Sequence, residues 1–317
     1  MTWSKLNAII EQNTSFLVSS HISPDGDCIG SQLACYWLLA ERGKDVVVYN
    51  ADPVPRKLSF LPGAQVITTT FPRRTFDVLI VLDASNRDRL GWDSSVPVPS
   101  CVVNIDHHQD NTAFGDCNIL DSTVAATGQI LYALFSDAGI SYPPHVAQAL
   151  YAAIMTDTGG FRFSNTTGTV LRTCADLADR GADCAEVYRH LYASDSQNGL
   201  TLKARIWSTL AFHLGGRVCT MELPMGLINE VGAEYGDSEG MADFTITAEG
   251  VEVGMLIKYN ERETHFSMRS TGRIDVGSIA RSIPGGGGHM NAAGCTLYLP
   301  LPDAMRRLLA ILEGTLE

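Results

Sequence analysis

In the first half of the chain, short apolar runs rich in β-branched residues alternate with amphipathic stretches, and several of those runs stop at an aspartate or a histidine. The alternation predicts an α/β domain built on a parallel sheet. The expected strands are 15–20, 45–48, 77–82, 101–105 and 116–119, and the expected helices cover 30–42, 125–138, 145–155, 170–180 and 185–190. Ligands of such sheets bind beyond the carboxyl ends of the strands. His21, Asp25 and Asp27 fall there after the first strand, Asp83 after another, and Asp106, His107 and His108 after a third. Asp157 ends a helical stretch, in Met155-Thr-Asp157-Thr-Gly-Gly160.

Carboxylates and imidazoles are costly to gather in one desolvated place unless cations compensate them. If these segments converge, a metal centre is the economical explanation. Oxygen-rich ligation with a minority of imidazole favours Mn²⁺ or Mg²⁺ over a thiolate zinc site. The number of candidate ligands suits two cations, and the usual task of such a pair, with ions ~3.5–4 Å apart, is in-line displacement at phosphorus.

Each segment also has a plainer reading. The turn marked by Pro24 and Gly26 can cap the helix near Gly30, with one aspartate as the cap and the others solvated. Cys28 lies close by, but thiolate ligation is not expected among so many carboxylates. An aspartate after a strand, such as Asp83, is common, whereas adjacent histidines ending a buried strand have few structural uses. The run Gly285–Gly288 before His289 is either a phosphate-binding nest or a turn between a helix and a strand. Arg269 is either an ordinary exposed strand arginine or, facing a cleft, suited to phosphate, and Arg162 near Asp157 either reaches substrate or, at least as readily, forms a structural salt bridge. His145, His190, His213 and His265 have no partner motif and are expected on the surface or in the core.

The formal charge of −12 argues against a protein that grips long nucleic acid, which uses a broad basic surface, and says little against short phosphorylated molecules. Eight scattered cysteines with no C-x-x-C pair read as buried apolar groups in a reducing compartment. With no apolar run near the ~18 residues of a membrane span, a cytoplasmic protein is expected. From Arg217 the texture changes to strands at 218–223, 251–259, 264–270 and 292–297, with helices near 275–282 and 302–316. Residues 1–191 are therefore expected as the metal-centre domain, 192–216 as a helical linker, and 217–317 as a smaller α+β domain.

Taken together, these strings resemble the DHH phosphoesterase superfamily, and the glycine-histidine loop resembles its DHHA1 C-terminal domain. The resemblance runs through His21…Asp25-Gly-Asp27…Gly30-Ser31, Asp83, Asp106-His107-His108, Met155–Gly160 and Gly285–His289. It implies a parallel-sheet DHH domain joined by a helical linker to a DHHA1 domain, and a dinuclear Mn²⁺ enzyme for which Mg²⁺ or Co²⁺ can substitute. One ion would take His21, Asp25 and Asp83, and the other Asp27, Asp83, His107 and Asp157, with Asp83 bridging. By the same resemblance His108 would contact the scissile phosphate and Asp106 would orient the neighbouring histidine. Arg269, Gly287, Gly288 and His289 would grip the nucleotide from the second domain, across an interdomain cleft.

Size and layout resemble a subgroup that degrades very short oligoribonucleotides and dephosphorylates 3′-phosphoadenosine 5′-phosphate (pAp). The expected partners are therefore short oligoribonucleotides and small phosphorylated nucleotides, with no long nucleic acid and no membrane; a homodimer is compatible with the linker and the acidic surface. No residues remain for the extra OB-fold of the long RecJ-like exonucleases, and the family II pyrophosphatases have a different C-terminal domain. A stand-alone cyclic-di-AMP or pApA phosphodiesterase and a non-catalytic nucleotide-binding protein are the alternatives.

Overall fold

The computed structural model describes residues 3–92, 99–238, 240–288 and 290–316. They divide into two compact units, Met1–Ser194 and Asp195–Glu317.

In the first unit the elements run α1 (Trp3–Gln12), β1 (Ser15–Ser19), α2 (Gly26–Glu41), β2 (Asp45–Tyr49), β3 (Ile67–Thr68), β4 (Val78–Leu82), β5 (Cys101–Asp106), β6 (Cys117–Leu120), α3 (Thr127–Asp137), α4 (Pro144–Asp157), α5 (Gly168–Asp179) and α6 (Cys184–Tyr192). The strands form one six-stranded sheet in the order β3-β2-β1-β4-β5-β6, with every pairing parallel. Strand β4 is Val-Leu-Ile-Val-Leu and buried at every position. Val78, Ile80 and Leu82 face the helical core, while Leu79 and Val81 face a second cluster with Leu17, Tyr49, Phe76 and Val102. Burial on both faces explains why this strand reads as a continuous apolar run.

Strand order reverses between β1 and β4, because the chain leaves β1 towards β2 and returns on its other side. Such a switch point opens a crevice at the carboxyl ends of the two strands. His21 and Asp25 follow β1, and Asp83 follows β4.

In the second unit the elements are α7 (Gln197–Trp207), β7 (Ala211–His213), β8 (Val218–Pro224), α8 (Met225–Val231), α9 (Met241–Phe244), β9 (Val253–Tyr259), β10 (Thr264–Ser270), α10 (Val276–Arg281), β11 (Gly287–Gly288), β12 (Ala292–Leu297) and α11 (Leu301–Leu316). Their sheet is mixed, in the order β11-β12-β10-β9-β8-β7, with β8 and β9 parallel and the other pairs antiparallel. Strand β10 alternates in burial, and its Phe266 and Met268 join the core formed with α10 and α11. On the opposite face Leu202 and Ile206 of α7 pack with Met221, Leu223 and Leu256. The helix expected within the connecting stretch is thus formed, and its apolar stripe belongs to the core of the second unit.

Candidate metal centre

Asp25 caps the N-terminus of α2 by accepting the Cys28 backbone N–H at 3.0 Å. Cap and candidate ligand are therefore the same residue. Because α2 starts at Gly26 rather than near Gly30, Asp27 stands in the first helical turn and is fully buried, instead of lying in a loop. Two glycines bring α2 against α4. A Cβ on Gly26 would lie 2.3 Å from the Thr156 side chain, and one on Gly30 2.3 Å from the Ala149 carbonyl oxygen. That close approach sets Asp27 beside the last turn of α4, where Asp157 ends the helix.

Asp83, directly after β4, has φ of 57°, a left-handed conformation that costs a non-glycine residue roughly 1–2 kcal/mol. Its N–H donates to the Ile105 carbonyl on the neighbouring strand at 3.0 Å, which ties the strained residue to the sheet. Its carboxylate then sits between two sets of side chains. Oδ2 lies 3.6 Å from His21 Nε2, and Oδ1 lies 3.5 Å from His107 Nε2 and 3.7 Å from His108 Nδ1. His21 Nε2 is also 4.0 Å from Asp25. His107 Nε2 lies 3.1 Å from Asp157 and 3.8 Å from Asp27.

All six candidate metal ligands are thereby brought together. Three groups have potential ligand atoms within 4.8 Å of one another: His21, Asp25, Cys28 and Asp83; Asp83, His107 and His108; and Asp27, His107 and Asp157. Asp106 takes a different position. It accepts from the His107 backbone N–H at 2.9 Å, pairs with His108 Nδ1 at 2.7 Å and accepts from the Asn111 amide at 2.5 Å. This carboxylate thus ties together the His107 backbone, the His108 ring and the Asn111 amide.

The electrostatics fit divalent cations. Among the described residues every ion pair made by Asp25, Asp27, Asp83, Asp106 and Asp157 is to a histidine. Among the described residues these five carboxylates therefore pair with three imidazoles and with no lysine or arginine. Burial, then the charges of Asp83 and Asp157, push Asp27 well above the usual carboxylate range. Burial lifts Asp157 to about 7 against the pull of His107. Burial alone would lower His107, but its bond to Asp157 and the charges of Asp27 and Asp83 carry it to about 10. Burial likewise opposes ionisation of Asp83, yet the bond from His21 and the charges of His107 and His108 hold it below its ordinary value. Protons held by misplaced acids and bases are what cations would displace.

Several residues here carry no acidic or imidazole signal. The backbone N–H groups of Thr127 and Gly128 donate to Asp27 at 2.5 and 2.8 Å, and Ser31 Oγ donates to it at 3.0 Å. Helix α3 has Ala126 at its N-cap position, with no side-chain cap. A helix start without a polar cap leaves amides in search of an acceptor, and that is the one sequence hint for this contact.

The expected substrate contacts are divided between the two units. Arg162 Nε donates to the Gly159 carbonyl at 2.7 Å. In the second unit, Arg269 donates through Nε to Asp243 at 2.6 Å and through Nη1 to the Met268 carbonyl at 3.1 Å. Gly287 and Gly288 form a short edge strand on β12, where the sequence suggested a nest or a turn. A Cβ on Gly288 would lie 2.5 Å from Ala293 Cα, whereas one on Gly287 would meet nothing within 4 Å. His289 lies outside the described residues.

Residues 15–154 match the DHH family, N-terminal domain, and residues 215–317 match the DHHA1 domain. The bifunctional oligoribonuclease and PAP phosphatase NrnA of Thermus thermophilus is 35% identical over 313 residues, covering 97% of this chain and 93% of that protein. The chain belongs to the DHH family. The protein of the same name from Bacillus subtilis is 24% identical over 304 residues, covering 94% of each chain. An exopolyphosphatase-related protein from Bacteroides fragilis shares the fold with a TM-score of 0.92 at 24% identity, over 98% of this chain and 96% of that one. Among the described residues of this DHH-family chain, no helix is long and apolar enough to cross a membrane.

Proposed function

We propose that this protein is a phosphoesterase that releases mononucleotides from very short oligoribonucleotides and dephosphorylates pAp. The cofactor is a pair of Mn²⁺ ions, for which Mg²⁺ or Co²⁺ can substitute. Asp83 carries this reading, with one carboxylate oxygen towards His21 and the other towards His107 and His108. Full-length similarity to relatives named as oligoribonuclease and PAP phosphatase supplies the substrate class.

His21, Asp25 and Asp83 would hold one ion, and Asp27, Asp83, His107 and Asp157 the other. When bound, such ions activate water and offset the charge that develops on phosphoryl oxygens. His108 has its Nδ1 engaged by Asp106, which orients the ring so that the imidazolium form would donate from Nε2 to a phosphoryl oxygen. The proton on His108 is favoured there: burial would lower it, but the bond to Asp106 and the charge of Asp83 raise it. Arg269, Gly287, Gly288 and His289 are the nucleotide contacts of the second unit, and Arg162 is a further phosphate contact in the first. The eight cysteines form no disulfide, which suits the reducing environment of the cytoplasm.

The test is a side-by-side assay of a ribodinucleotide, pAp, pApA and cyclic-di-AMP with the chelator-treated protein and added Mn²⁺. Turnover of the dinucleotide and pAp, lost in Asp83→Ala, is the expected result. Binding without turnover, or preference for the cyclic dinucleotide, would replace this reading.

A further inference from the structure

Both oxygens of the Asp83 carboxylate receive a hydrogen bond from a side chain that is neither a carboxylate nor an imidazole. Cys28, in the first turn of α2, donates from Sγ to Oδ2 at 3.3 Å. Thr127, the first residue of α3, donates from Oγ1 to Oδ1 at 3.1 Å. Cys28 and Thr127 are fully buried, and Asp83 is 1% exposed. Each donor is anchored by its own backbone to a neighbouring candidate ligand. The Cys28 N–H is held by Asp25, and the Thr127 N–H by Asp27.

The terminal torsion of an aspartate is broad, so nothing intrinsic to the side chain fixes the plane of its carboxylate. A carboxylate shared by two cations needs that plane fixed, with one oxygen towards each. We propose that Cys28 and Thr127 are positioning residues that lock the rotation of the Asp83 carboxylate, Cys28 presenting Oδ2 to a divalent cation on the His21 side and Thr127 presenting Oδ1 to one on the His107 side. This rests on the two-ion reading above. Each donor governs one half of the centre. Neither residue type signals such a role in the sequence, and Cys28 stays a thiol donor rather than a ligand.

The test is calorimetric titration of Mn²⁺ into the chelator-treated full chain, with His21→Ala and His107→Ala used to assign the two binding steps. Cys28→Ala should weaken the step that His21→Ala removes by about 10–100-fold, the usual effect of losing a group that orients a metal ligand, and leave the other step nearly unchanged. Thr127→Val, which keeps the backbone N–H, should do the converse. Cys28→Ser and Thr127→Ser retain a donor and should restore binding, a rescue that simple loss of packing would not give. Unaltered Mn²⁺ binding in both Cys28→Ala and Thr127→Val overturns the proposal, as does a serine variant no better than its Ala or Val counterpart. A sulfur-to-cobalt charge-transfer band in the Co²⁺-loaded protein, absent from Cys28→Ser, also overturns it by making the sulfur a ligand. Those outcomes leave the two-ion reading standing, whereas fewer than two ions bound by the unaltered chain ends both.

Discussion

Asp83 and His107, each just beyond the end of neighbouring parallel strands, bring Oδ1 and Nε2 within 3.5 Å, while the other oxygen of the same carboxylate lies 3.6 Å from His21. One strained residue at a switch point thus joins two sets of candidate ligands that are separated widely in sequence. The consequences can be measured.

Removing divalent ions should make stability strongly dependent on pH between about 5 and 9. Asp157 and Asp27 have folded pKa values above the unfolded carboxylate value, so the stability from their protons is complete below about 4 and is lost as pH rises, for Asp157 through about 7. His21, His107 and His108 are also raised, and their contribution is lost above about 6.5, in the case of His107 through about 10. Every one of these shifts has the same sign in that window. Melting of chelator-treated protein should show Tm falling from pH 5 to 9, and Mn²⁺ should reverse the trend. A flat profile without metal would contradict the electrostatics described.

The same protons compete with cations. Apparent Mn²⁺ affinity should weaken as pH drops, below about 10 through the proton of His107 and more steeply below about 7 where Asp157 also gains one, by up to about tenfold per pH unit for each proton displaced. Titrations at pH 6, 7 and 8 give the slope directly, and an affinity independent of pH would count against Asp157 as a ligand.

Arg269 is held through Nε by Asp243, which leaves its guanidinium aimed rather than mobile. Arg269→Ala should raise KM for pAp and dinucleotides well beyond its effect on a small aryl phosphate. Asp243→Asn should raise KM in the same direction by a smaller factor. Equal losses on both substrate types would place Arg269 outside nucleotide recognition.

The glycine run separates packing from binding. A Cβ on Gly286 would lie 2.2 Å from the Ala280 carbonyl oxygen, so Gly286→Ala should destabilise the second unit by roughly 1–3 kcal/mol. Gly287 has open space around it, and Gly287→Ala should leave Tm within about 1 °C while raising KM for nucleotides. An unchanged KM would show that this glycine has no role towards substrate.

The parallel sheet and the convergence of His21, Asp83 and His107 were legible because strand ends in a parallel sheet share one edge, and each of these residues follows an apolar run. The start of α2 was not. Pro24 and Gly26 carry turn chemistry, yet Asp25 caps the helix at once and puts Asp27 and Cys28 in its first turn. Thr127 and Gly128 gave little signal beyond the uncapped helix start, because their backbone amides reach Asp27 a hundred residues earlier and the Thr127 hydroxyl reaches Asp83. The ion pair of Arg269 was equally hidden, since Asp243 sits 26 residues away on a short helix whose packing, not its pattern, brings it to β10. Gly287 and Gly288 read as loop residues because the strand they form is defined by the partner β12 and not by side chains.

The most direct measurement is an anomalous difference map, at the manganese edge, from crystals grown with Mn²⁺. Two peaks are predicted, one contacting Asp83 Oδ2 beside His21 and Asp25, the other contacting Oδ1 beside Asp27, His107 and Asp157. A single peak, or two peaks with neither in contact with Asp83, would contradict the account.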